Sequence, residues 1–148
     1  MVTGGSRGIG YAIADALAAA GGSVAIGSRT PKDVERAAAA LTKRHAGSRC
    51  IGLRCDVRLQ QDCEELIATA ARELGGIDIL VNNAGIGIFS PVADMSPDDW
   101  RTDIETNLNG LFYCCHAALP YLCERDTSWV ISLGRLRGKE AIPRGGAY

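Results

Sequence analysis

Thr3-Gly4-Gly5-Ser6-Arg7-Gly8-Ile9-Gly10 follows the end of an apolar run, Met1-Val2, and leads into Tyr11 to Ala20, where apolar residues recur at helical spacing until Gly21-Gly22. The order is strand, glycine turn, helix. Glycines at 4, 8 and 10 allow a tight turn, a close approach of backbone to a pyrophosphate and close packing of the helix on its strand. A phosphate held there would meet the unpaired N–H groups and positive dipole end of the helix. A glycine-rich turn also occurs where a chain only reverses direction, so the rest of the sequence has to decide between the two readings.

Working outward, apolar runs alternate with helical stretches, without repeats or low-complexity segments. Ser23 to Ser28 reads as a second strand. Thr30-Pro31 then opens an alanine-rich helix, with Thr30 as N-cap, Pro31 at the first helical position and Asp33 in the first turn, running to about His45. Arg49 to Cys55 is a third strand, Leu59 to Leu74 a third helix and Ile77 to Val81 a fourth strand. Ser96-Pro97-Asp98-Asp99 starts a long helical region, with a bend expected near Asn107, that continues to about Glu124. Ser128 to Leu133 is the fifth strand. This alternation predicts an α/β fold: a doubly wound, Rossmann-like parallel sheet of about five strands with helices on both faces, in a single domain over 1–148.

Composition is consistent with that class. Of 148 residues, 47% are hydrophobic and 22% charged, and no apolar run approaches the ~20 residues of a membrane span. A formal net charge of −1 gives no bulk attraction to nucleic acid or an anionic membrane. No charged-then-apolar leader precedes the glycine turn, and a cytoplasmic location is expected. Cys50, Cys55, Cys63, Cys114, Cys115 and Cys123 include no Cys-x-x-Cys pair, and most read as small core residues in a reducing compartment. His45 and His116 stand apart from any ligand cluster, so no metal is expected.

Several further motifs resemble the short-chain dehydrogenase/reductase family. Its nucleotide motif is matched by Thr3, Gly4, Gly8 and Gly10, and its Asn-Asn-Ala-Gly motif by Asn82-Asn83-Ala84-Gly85. Its aspartate after the third strand is matched by Asp56, followed by Val57, and its helical asparagine by Asn107. The Gly4 to Gly10 turn, Ser28-Arg29, Asp56-Val57 and Asn82 to Gly85 all follow strands, so four loops should converge on one crevice at the carboxyl edge of the sheet. The resemblance implies a nicotinamide dinucleotide held by Gly4, Ser6, Arg7, Gly8, Ile9, Gly10, Ser28, Arg29, Asp56, Val57, Asn83, Ala84 and Gly85. In it the Asp56 position faces the adenine edge, and the Asn83 to Gly85 backbone the ribose side. An acidic residue ending the second strand would favour a ribose 2′-OH, whereas Arg29, with Arg7 nearby, suits a 2′-phosphate. NADP(H) is therefore expected over NAD(H).

The resemblance also implies hydride transfer between the cofactor and a small carbonyl or alcohol substrate, with a tyrosine as general acid/base. Free tyrosine has a pKa near 10, so a lysine four residues later helps it exchange protons near neutrality. Tyr148, after Gly145-Gly146-Ala147, resembles that tyrosine, and no residue follows it here. The family serine stands thirteen residues earlier, a position occupied by Arg135. Ser132 should lie inside the fifth strand and point elsewhere. Asn107 would support a proton-relay water.

The first strand is short by the family's standard, and the family's later strands and substrate-binding region have no counterpart, so a fragment is expected. The glycine turn and the Ser28-Arg29 pair look most like 3-oxoacyl carrier-protein reductases and their relatives. Two functional classes stay open: a carbonyl reductase or alcohol dehydrogenase represented by its cofactor-binding portion, or a nucleotide-binding or assembly module without turnover. In the family the helix spanning Asn107 to Leu122 packs against a partner subunit. Its Leu108, Leu111, Phe112, Leu119 and Leu122 could support a homo-oligomer, or pack on the sheet.

Overall fold

A computed structural model describes residues 1–134. The chain runs β1 (Val2–Thr3), α1 (Gly8–Ala19), β2 (Val24–Ser28), α2 (Pro31–Arg44), β3 (Cys50–Arg54), α3 (Gln60–Leu74), β4 (Ile79–Asn82), α4 (Pro97–Ile104), α5 (Gly110–Cys123) and β5 (Trp129–Ser132). The strands form one parallel sheet in the order β3-β2-β1-β4-β5. Connections therefore step outward from β1 in both directions, the doubly wound arrangement expected from the alternation.

Each face of the sheet is covered because its strands are apolar on both sides. Along β2, Val24 and Ile26 face Ala14 and Ala18 of α1 and Val34, Ala38 and Leu41 of α2. Ala25 points the opposite way, into a layer with Leu80 of β4, Leu66, Ile67 and Ala70 of α3, and Ala118 and Leu122 of α5. Small residues set the spacing: a Cβ at Gly52 of β3 would lie 2.4 Å from the Val34 carbonyl oxygen, so only glycine lets α2 approach β3 this closely. At the margin, all four residues of β5 are exposed.

One local expectation needs correction. Thr30 has the extended backbone of an N-cap, but its side chain makes no capping bond. Its own carbonyl already accepts the Asp33 N–H at 3.2 Å, which removes the donor the hydroxyl would have taken. Ser96, by contrast, caps α4 as expected, its Oγ accepting from Asp99 N at 3.0 Å. The bend near Asn107 is a π-helical turn over Glu105–Asn109, closed by the Gly110 N–H donating to the Glu105 carbonyl, between α4 and α5.

Candidate functional site

The β1–α1 turn and the loop after β4 lie side by side because β1 and β4 are neighbours, and a polar clasp joins them. Thr3, buried at the end of β1, accepts the N–H groups of Asn83 and Ala84 on Oγ1, both at 3.0 Å. Asn83 Nδ2 returns two bonds, to the carbonyls of Thr3 at 2.9 Å and Gly4 at 3.2 Å. Its side chain is thus committed to structure, while its backbone stays on the crevice wall. Gly10 packs beneath the clasp, where a Cβ would fall 2.3 Å from Asn83 Nδ2.

Above the clasp the turn is open. Gly8 has φ of 59° and, among the described residues, nothing within 4 Å of where a Cβ would project. Arg7, the N-cap of α1, makes no side-chain capping bond, so among the described residues the N-cap leaves the first N–H groups of the helix, at Gly8 to Gly10 on the crevice, without its side chain as acceptor. Space, helix donors and dipole together form a cradle suited to a phosphate.

All thirteen residues expected from the sequence to hold a dinucleotide line one hollow of about 400 Å³ at the carboxyl ends of β1 to β4. Ser28 ends β2 with a buried Oγ that has no hydrogen-bond partner among the described residues. Arg29 is exposed beside it and forms no ion pair among those residues. An orphaned hydroxyl next to an unpaired guanidinium fits a phosphate oxygen. Asp33 also lines this hollow, its charge answered by Arg36 at 3.0 Å.

Asp56 follows β3, and the sequence reading missed what holds it. Arg58 grips its carboxylate through Nε, 2.9 Å from Oδ1, and Nη2, 2.5 Å from Oδ2, while the Arg58 N–H adds a bond of 3.2 Å to Oδ1. The hydrogen bonds from Arg58 hold the Asp56 carboxyl below its ordinary pKa against the opposing effect of burial, and the more distant charge of Arg29 adds to the lowering. Asp62 braces the same loop, its Oδ2 accepting from Asp56 N at 2.9 Å and from Arg54 Nη1 at 2.7 Å. The signal available in the sequence was an arginine two residues beyond the aspartate, within reach of an Asx-type turn.

Asn107 lines a second hollow of about 340 Å³ that adjoins the first, with Ile9, Asn82 and Leu133 also on its wall. Its amide clamps the loop after β4: Oδ1 accepts from Ile86 N at 3.0 Å, and Nδ2 donates to Ile86 O at 3.1 Å and to the buried Asp103 carboxylate at 2.7 Å. Tyr148 and Arg135 lie outside the described residues.

Other expectations divide. On α5, Leu122 is buried in the core, Leu111 is half-buried, and Phe112 and Leu119 are exposed, as is Leu108 in the π turn. Cys50, Cys55, Cys63 and Cys114 are buried free thiols, whereas Cys123 is exposed. Among the described residues no group of three or more His, Cys, Asp or Glu side chains is placed to hold a metal ion, and no helix is long and apolar enough to cross a membrane.

The fold, with its strand-end crevice, defines a Rossmann-like α/β domain. The short chain dehydrogenase family matches residues 1–148, and the chain belongs to that family. Short-chain reductase protein NovJ from Streptomyces niveus is 43% identical over 139 residues, covering 94% of this chain and 52% of that protein. An NADPH-bound short chain oxidoreductase from Pseudomonas aeruginosa PAO1, described as containing an atypical catalytic center, superposes with a TM-score of 0.93 at 31% identity, over 97% of this chain and 56% of that one. A 3-ketoacyl-ACP reductase from Sinorhizobium meliloti 1021 gives a TM-score of 0.87 at 35% identity, over 93% and 53%. The chain thus spans about half the length of these relatives.

Proposed function

We propose that residues 1–148 are the cofactor-binding portion of an NADP(H)-dependent oxidoreductase acting on a carbonyl or alcohol. The observation that carries this reading is the buried Ser28 hydroxyl, unpartnered among the described residues, beside Arg29 and on the same hollow as the open Gly8 cradle. The 2′-phosphate of NADP(H) would supply the anion for that pair, and the pyrophosphate that for the α1 N-terminus. The NADPH held by the P. aeruginosa relative supports the same assignment. When bound, the cofactor would supply a hydride. Ile9 and Leu133 give apolar wall to the adjoining hollow, and Asn107 holds the loop that borders it. Tyr148 would deliver the proton to the carbonyl oxygen, and Arg135 stands where the family has its serine. The substrate is a small molecule, and the exposed Leu108, Phe112 and Leu119 offer a face for a second copy.

A second reading, a nucleotide-binding module without turnover, is favoured by one feature, Arg135. A guanidinium is larger than a serine hydroxyl and always charged. Titrating the purified chain with NADPH by cofactor fluorescence, then following NADPH oxidation with a panel of ketones, separates the two. Saturable binding with oxidation supports the first, binding without oxidation the second, and absence of binding refutes both.

A further inference from the structure

The sheet order sets where each part of a bound dinucleotide would lie. Neighbouring strands are about 4.8 Å apart, so the step from β1 through β2 to β3 carries a ligand about 10 Å from the Gly8 cradle. It passes Ser28 and Arg29 on the way. Ser28 is in register with Arg54, and Asp56 stands two residues beyond on the same hollow, where the family resemblance would put the purine end of the ligand. A free carboxylate there would accept a bond from a 6-amino group and repel a 6-carbonyl.

Here the carboxylate is not free. Oδ1 takes the Arg58 N–H and the Nε–H, and Oδ2 takes Nη2 and shares the same Nε–H at 3.1 Å, so three N–H donors occupy most of the roughly four lone-pair sites a carboxylate has. The loop cannot easily turn the group away, because Asp56 N is tied to Asp62 Oδ2. An approaching base therefore meets a neutralised pair, with Arg58 Nη1 carrying no partner among the described residues.

We propose that Arg58 removes the selection for adenine at this end of the crevice, so that the chain takes a nicotinamide dinucleotide phosphate bearing hypoxanthine about as well as one bearing adenine. The inference rests on the cofactor reading of the crevice above. A base amine meets a carboxylate already neutralised by Arg58, so a bond to it no longer gains from a bare anion. A base carbonyl meets the guanidinium instead of an uncompensated anion.

The test is a pair of fluorescence titrations of the 148-residue chain, with NADPH and with its reduced hypoxanthine counterpart. Dissociation constants within about threefold of each other are expected. A hypoxanthine form weaker by about tenfold or more overturns the inference. Arg58→Ala should then restore selection, opening a preference of about tenfold or more for adenine, the scale of one hydrogen bond to a charged group. Arg58→Gln keeps side-chain donors toward Asp56 and should stay near the unsubstituted ratio. A ratio that Arg58→Ala leaves unchanged also overturns the inference. If neither dinucleotide binds, the crevice reading itself has failed; if only NADPH binds, the base inference alone has.

Discussion

Replacing Thr3 by valine tests the clasp at the centre of the crevice. Valine keeps the shape and the β-branched stiffness of threonine, so the core around β1 loses no volume. What goes is one oxygen, and with it the acceptor for the Asn83 and Ala84 N–H groups at 3.0 Å each. Thr3 is 2% exposed, so water does not reach the vacated side from the core. A buried donor left without a partner costs about 1–3 kcal/mol. Two such donors set an upper range of about 2–6 kcal/mol, and the crevice beside Ala84 lets solvent recover part of it. We expect Thr3→Val to destabilise the chain by about 2–3 kcal/mol in urea unfolding, equivalent to a Tm lower by about 4–12 °C for a domain of this size. Thr3→Ser retains the oxygen and should lose about 1 kcal/mol, the value of one buried methyl group. A valine variant within about 0.5 kcal/mol of the parent would show that the clasp does not hold the two loops together.

Three further outcomes follow from the same geometry. Arg29→Asp places a carboxylate beside Ser28 and should reverse the preference between NADPH and NADH, with relative affinity moving by about tenfold or more in parallel titrations; an unchanged ratio removes Arg29 from cofactor selection. Because Arg58 depresses the folded-state pKa of Asp56, this ion pair stabilises the fold above the unfolded carboxyl value of about 4. That contribution is lost as pH falls through the lower folded value, so urea midpoints of the parent and Asp56→Asn should differ at pH 6 and converge as the pH is taken progressively below the unfolded carboxyl value. β5 exposes Trp129, Val130 and Ile131, and Val130→Lys should reduce concentration-dependent self-association in light scattering, while an unchanged profile clears this edge.

The architecture was readable because it depends on local periodicity and on glycines whose roles are short-range. The Gly4 to Gly10 turn, the strand-then-helix alternation and the four strand-end loops needed only neighbours in sequence, and thirteen expected residues do line one hollow. The polar wiring was not readable. Thr3 meets Asn83 across 80 positions, and the pattern Asn-Asn-Ala-Gly does not say whether the second amide faces a ligand or a carbonyl. The Asn83 amide turns inward because two strand-end carbonyls, of Thr3 and Gly4, lie within reach. Asn107 is similar: the sequence suggested a catalytic role, whereas the visible work of its amide is to tie Ile86 to Asp103. Asp56 was recognised as a crevice residue, but its state depends on Arg58, a choice of rotamer that spacing does not encode. Thr30 failed as a side-chain cap for an equally local reason, since its carbonyl had already taken the Asp33 N–H.

On the function proposed above, the hollow along β1, β2 and β3 is an NADP(H) site. A crystal structure of the chain grown with NADPH tests it most directly. The dinucleotide should lie with its pyrophosphate over Gly8, its 2′-phosphate bonded to Ser28 Oγ and Arg29, and its base beside an intact Asp56–Arg58 pair. A crevice without density at saturating NADPH, or a 2′-phosphate turned away from Ser28 and Arg29, would contradict it.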